Sequence, residues 1–95
     1  MVNKMNVLSK SEIDRFLSQL DNWRLENGVI IKDWVFQDFS EAMDFINMMA
    51  VIAEKHNHHP QLFNVYNRVT LYFTTHDAGG ITEKDINIAK ELDKI

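Results

Sequence analysis

Polar and apolar positions along this chain follow two different periods, and the changes of period mark out its elements. Ser9-Lys10-Ser11-Glu12 has the form of a capping box, in which Ser9 accepts from the backbone at the third helical position and Glu12 reaches back. Ile13, Phe16, Leu17 and Leu20 then recur at the i, i+3, i+4, i+7 spacing of one helical face, which predicts a helix over about residues 10 to 20. Asp21-Asn22 ends it. A period of two takes over at Trp23-Arg24-Leu25, and Asn27-Gly28 is the strongest short hairpin signal a sequence offers. Both central residues of a type I′ turn need positive φ, which Asn and Gly tolerate. The return strand runs from Val29 to Phe36. Ile30, Trp34 and Phe36 fall on one side, with Lys32 the polar exception among them, and Val29, Ile31 and Val35 fall on the other. Two partly apolar faces point to a strand covered by helices on one side and open to a partner on the other.

Asp38-Phe39-Ser40-Glu41 opens a second helix, capped by Asp38 or Ser40. Phe39, Ala42, Met43, Ile46, Met49, Ala50 and Ala53 make its apolar stripe; Phe45, Met48 and Ile52 add apolar surface beside it. That surface suits either a deeply buried helix or one that also packs against another subunit. The helix must end by His59, because Pro60 disfavours helical geometry in the residue before it. Gln61 to Val65 and Val69 to Thr75 read as a second hairpin around Tyr66-Asn67-Arg68. Val69, Leu71 and Phe73 share one face of the later strand; Thr70, Tyr72, Thr74 and His76 share the opposite one. Gly79-Gly80 breaks the strand, and Thr82-Glu83-Lys84-Asp85 caps a third helix that turns Ile86, Ala89 and Leu92 inward. The order α-β-β-α-β-β-α predicts an α+β fold with one four-stranded antiparallel sheet and helices packed on one face.

Ninety-five residues form one domain, spanning 1–95, and a small one. With 45% hydrophobic residues the core has little margin, so self-association is a natural supplement. The net charge of -4 is spread along the chain with no basic cluster, which argues against direct nucleic-acid binding. The chain has no cysteine, which excludes disulfides and thiolate metal sites. Met1 to Lys10 lacks the continuous apolar core of a secretory signal, and no apolar run reaches membrane length. A cytoplasmic protein is the expectation. Three Gly and one Pro, with no repeat, leave no place for a linker.

All four histidines lie between positions 56 and 76. Histidine gives or takes a proton near neutral pH, so this clustering invites a chemical explanation. Glu54 and His58 are four apart and share a face if the second helix persists that far. His59 follows, and His76 comes from the end of the last strand. Two imidazoles from a helix end and one from a strand end can converge on one cleft, with a general acid on one side of a small substrate and a base on the other. Ordinary surface histidines would not show this spacing with a carboxylate. A zinc site remains as an alternative through Glu54, His58 and His76, because His56, His58 and His59 are too tightly spaced to face one ion from regular helix. Thr74 and Thr75 precede His76 and can hydrogen-bond a polar ligand; Tyr66 reads as a sheet residue. Gly79-Gly80 lacks a Walker lysine or a dinucleotide fingerprint and reads as a turn.

On these residues the chain resembles the pterin-4a-carbinolamine dehydratase family. The family's spaced pattern is met by Glu54, His58-His59-Pro60, Tyr66, His76 and Asp85. Phe63-Asn64-Val65-Tyr66-Asn67-Arg68-Val69, Thr74-Thr75-His76-Asp77-Ala78-Gly79-Gly80, Trp23 and Lys32-Asp33-Trp34-Val35-Phe36 also resemble it, so the likeness covers nearly the whole chain. The resemblance implies loss of water from 4a-hydroxytetrahydropterin to give quinonoid dihydropterin, in tetrahydropterin recycling, with no cofactor and no metal. It implies His59 as the main general acid/base, with His58 and His76 sharing substrate binding and proton transfer and Glu54 assisting. Asn57, Thr74, Thr75 and Asp77 would line the pterin site. It also implies a homodimer or homotetramer. A second role is implied as a binding module, the dimerisation cofactor of a homeodomain transcription factor, working through helix two. Asn57 stands where some relatives carry Asp, and Asn22 where a glycine is often found. His56 has no assigned counterpart and is expected to be solvent-exposed.

Overall fold

A computed structural model describes residues 6–95. In chain order the elements are α1 (Lys10–Leu17), β1 (Arg24–Glu26), β2 (Val29–Val35), α2 (Phe39–His56), β3 (Gln61–Val65), β4 (Arg68–Phe73) and α3 (Glu83–Leu92). A single 3-10 turn, His76–Ala78, joins β4 to α3. The four strands form one antiparallel sheet in the order β1-β2-β4-β3, so the two hairpins meet through β2 and β4 at its centre. This is the α+β arrangement the sequence pattern predicts. The expectation of no secretory signal in Met1 to Lys10 falls partly on residues 1–5, outside the described residues.

Local chemistry explains the boundaries. At α1 the Glu12 amide donates to Ser9 Oγ at 3.2 Å and the Ser9 amide donates to the Glu12 carboxylate at 2.8 Å, which is the expected capping box. The helix stops at Leu17, about one turn short of its predicted end. Gln19 and Leu20 donate three residues back instead, and this tightening satisfies the terminal carbonyls. Asn22 follows at φ 62°, a left-handed conformation that explains why asparagine can stand in for glycine there. Asn27 and Gly28 both have positive φ, 51° and 77°, as a type I′ turn demands. Asp38 caps α2 by accepting from the Glu41 amide at 2.9 Å.

The stripe of α2 departs from the predicted one. Ala42, Phe45, Met49 and Ala53 are buried, whereas Phe39 and Ala50 are exposed. The helix is rotated toward Phe45 because the aromatics of β2 and of the residue just after it meet it there. Its ring centroid lies 4.7 Å from that of Trp34 and 5.1 Å from that of Phe36. Ile30, Val69, Leu71 and Phe73 supply the sheet side of the core, and Ile13, Met49, Ile86 and Leu92 the helix side. Phe39, Met48 and Val51 stay exposed on α2, Val51 by 70%.

Lys32, the polar exception on the core face of β2, is buried as well. Its ammonium donates to Asp93 Oδ1 at 2.8 Å and lies 5.0 Å from the Trp34 ring centroid. Asp93 also accepts from Trp23 Nε1 at 2.9 Å. The pair ties the residue after α3 to the sheet and satisfies a charge that would otherwise be costly to bury. Among the described residues no helix is long and apolar enough to cross a membrane.

Candidate functional site

The site begins where α2 ends. The helix closes at His56, earlier than the limit set by Pro60. Asn57 adopts φ 47° and ψ 45°, its amide donates to Glu54 O, and the His58 amide donates to Ala53 O at 3.0 Å. Those two bonds around a left-handed residue are a Schellman motif, for which asparagine is among the better-suited side chains after glycine. The departure at position 57 therefore suits the conformation the chain needs. The expected pairing of Glu54 with His58 across one helical turn is absent, because no helical turn separates them. Past the left-handed residue His58 turns inward and His59 outward.

His58 is buried, stacked on Phe73 with centroids 5.8 Å apart, and its Nε2 lies 2.5 Å from Asp85 Oδ1. Asp85 is fully buried. Its other oxygen accepts from the Thr75 hydroxyl at 2.7 Å and the Thr82 amide at 2.9 Å. His59 pairs through Nε2 with the carboxylate of Glu54, and its side chain stays 57% exposed. Two imidazoles adjacent in sequence thus have separate carboxylate partners, one in the interior and one at the surface.

A cavity of about 280 Å³ opens over these groups, close to the lower end of the usual range for small-molecule pockets. Asn57, His58, His59, Thr74, Thr75, His76 and Asp77 line it, and Lys84 completes the wall. The convergence of His58, His59 and His76 on one cleft is therefore present. Glu54 does not line the cavity; it reaches the site through His59. Thr75 lines it, but its hydroxyl points into the interior toward Asp85. Two larger hollows, of about 460 and 500 Å³, contain no histidine. Chemistry rather than volume selects the histidine cavity. Among the described residues no group of three His, Cys, Asp or Glu could hold a metal ion, and Glu54, His58 and His76 do not form a ligand set.

His56 is not the solvent-exposed residue expected. Its side chain is 21% exposed and its Nε2 hydrogen-bonds the Glu91 carboxylate across 2.7 Å, beside Lys55 at 2.8 Å from the same carboxylate. This cluster ties α2 to α3. Lys55 first, and His56 second, hold the Glu91 carboxyl below the usual glutamate range. A carboxyl depressed in the folded state stabilises the fold at pH values above its unfolded pKa of about 4.3, and that contribution is lost as pH falls through the lower folded value. A Glu91→Gln variant is accordingly expected to flatten the decline in melting temperature as the pH is taken downward from about 5. Thermal melts of both proteins along that series decide it; superimposable slopes would refute the assignment.

Asp85, Thr82 and Lys84 lie outside the set of site residues taken from the sequence. The signal for Asp85 was its place in the spaced pattern and at the third position of α3. Thr82 shows in sequence only as a helix cap, and nothing in sequence marks Lys84.

The α+β fold places three imidazoles on one cleft between the end of α2 and the 3-10 turn after β4; His76 opens that turn and does not end the strand. The sequence profile of the family described as Pterin 4 alpha carbinolamine dehydratase matches residues 6–95, and the chain belongs to that family. A Metallosphaera sedula protein, provisionally named a pterin-4-alpha-carbinolamine dehydratase, is 46% identical over 88 residues, covering 93% of this chain and 92% of its own. A Solibacter usitatus protein of the same provisional name is 48% identical over 88 residues, covering 93% of each. The crystal structure of a transcriptional coactivator/pterin dehydratase from Brucella melitensis superposes with a TM-score of 0.90 at 40% identity, covering 94% of this chain and 97% of that one.

Proposed function

We propose that this chain dehydrates a 4a-hydroxytetrahydropterin to the quinonoid dihydropterin by histidine general acid/base catalysis, in tetrahydropterin recycling. The observation that carries this reading is the convergence of His58, His59 and His76 on one cavity in a chain of this family. In the reaction the C4a–O bond breaks, a ring N–H loses its proton and a C=N bond forms, with water as the product. An imidazolium protonates the departing hydroxyl, and a neutral imidazole takes the ring proton. The step is redox-neutral and calls for neither a redox cofactor nor a metal. His59, exposed and paired with Glu54, acts as the main acid/base. His58 and His76 share binding and proton transfer. Asn57, Thr74, Thr75 and Asp77 line the pterin site, and the protein is expected to reside in the cytoplasm.

A second reading, as a protein-binding module or a homodimer or homotetramer assembled through α2, is favoured by exposed Phe39, Met48 and Val51. The transcriptional coactivator designation of the Brucella melitensis protein points the same way for that relative. The deciding experiment generates 4a-hydroxytetrahydropterin with an aromatic amino-acid hydroxylase and follows its dehydration with and without this protein. Acceleration above the spontaneous rate is expected. An unchanged rate with folded protein would reject the enzyme and favour the binding role.

A further inference from the structure

The buried side of His58 is held by the Asp85 carboxylate and by the hydroxyls behind it. We infer that the hydroxyls of Thr82 and Thr75 are positioning groups: they form a one-way chain of hydrogen bonds that holds the Asp85 carboxylate toward His58 and so fixes which ring nitrogen carries the proton. The inference rests on the dehydratase reading for its kinetic consequence but not for its geometry.

The direction of the chain follows from what each group can donate. Thr82 Oγ accepts from the Lys84 amide at 3.2 Å and from the amide of Asp85 in the capping box of α3. Amides only donate here, so the Thr82 hydroxyl proton points elsewhere. Thr75 Oγ lies 2.8 Å away. Thr75 has a single hydroxyl proton, and it is directed at Asp85 Oδ2 across 2.7 Å. Thr82 is therefore the donor to Thr75. Oδ2 also accepts from the Thr82 amide at 2.9 Å, which leaves Oδ1 facing His58 Nε2 at 2.5 Å. A carboxylate can only accept, so the proton of the neutral ring sits on Nε2, and Nδ1 is left as the lone pair for the cavity. Stacking on Phe73 keeps the ring in that plane.

Helix capping alone would explain Thr82 but not Thr75, which caps no α-helix. The two roles separate experimentally. In ¹⁵N-labelled protein, two-bond ¹H–¹⁵N correlations of the neutral His58 ring are expected to show the Nε2–H tautomer. Thr82→Val and Thr75→Val should each let the Asp85 carboxylate turn away from Nε2, populate the Nδ1–H tautomer and lower kcat about tenfold with KM within about twofold, a fraction of the ~10⁴ that loss of an imidazole-orienting carboxylate can cost. Thr82→Ser, which can both accept and donate, should restore the wild-type spectrum and rate. An Nδ1–H tautomer in the wild type, or valine variants with wild-type spectrum and kcat, would overturn the inference. If Thr82→Val does not fold, Thr75→Val and the wild-type spectrum still decide. The spectrum needs no substrate. A protein inactive on the carbinolamine but showing this tautomer pattern would reject the dehydratase reading and leave the positioning chain intact.

Discussion

An Asp85→Asn variant is expected to lose about 10³-fold in kcat while KM changes little, somewhat less than the ~10⁴ that an imidazole held in the wrong tautomer can cost. Asp85 is buried and accepts from three donors: His58 Nε2, the Thr75 hydroxyl and the Thr82 amide. Asparagine keeps one acceptor oxygen and replaces the other with an NH₂. Whichever way the amide is turned, a donor meets a donor. If the NH₂ faces His58, the ring must present a lone pair to it and carry its proton toward the cavity, which reverses its proposed role. If the NH₂ faces Thr75 and Thr82, the cap of α3 loosens. The second cost is structural, about 1–3 kcal/mol for unsatisfied buried groups, and a shift of several degrees in melting temperature is expected for a domain of this size. Steady-state kinetics with thermal melts separate the two. A variant within tenfold of wild type in kcat would mean that Asp85 serves the fold alone.

The other large effect is expected at His59, with the opposite division between rate and stability. His59→Ala should lower kcat by about 10²–10⁴, the usual contribution of a general acid or base. The side chain is 57% exposed and its partner Glu54 75% exposed, so stability should change by no more than about 0.5 kcal/mol. Rates of 4a-hydroxytetrahydropterin dehydration, read beside a chemical denaturation curve, test both halves together. Loss of folding along with activity would make His59 structural, and the acid/base role would pass to His58 and His76.

The elements were legible wherever the signal was local. The capping boxes at Ser9 and Thr82, the Asn27-Gly28 turn and the stop before Pro60 are written within a few residues of where they act. These are enough to order the helices and strands. What the sequence did not show was decided by distant partners. Phe45 looked like surplus apolar surface because nothing near it reveals that Trp34 and Phe36 will stand opposite. Lys32 looked misplaced because Asp93, which takes its charge, lies 61 residues away. His56 looked idle because Glu91 is 35 residues away. In the site the cluster of histidines was plain, but their pairing was not. Helical spacing offered Glu54 to His58. Once α2 ends in a left-handed residue, Glu54 meets His59 instead, and His58 finds Asp85 27 residues on. The family pattern contains Asp85 but does not say which histidine it faces.

Asn57 has a consequence for how this protein tolerates change. Between that residue and Pro60 stand two neighbouring imidazoles, one facing inward and one facing solvent, and their distance from the left-handed residue goes with which is which. Their separate addresses belong to position along the chain and not to either side chain. Inserting one residue after Asn57 would leave both histidines in place by composition yet exchange the anchored ring for the free one. A change of length by one residue here is therefore expected to break the pairing of both rings at once.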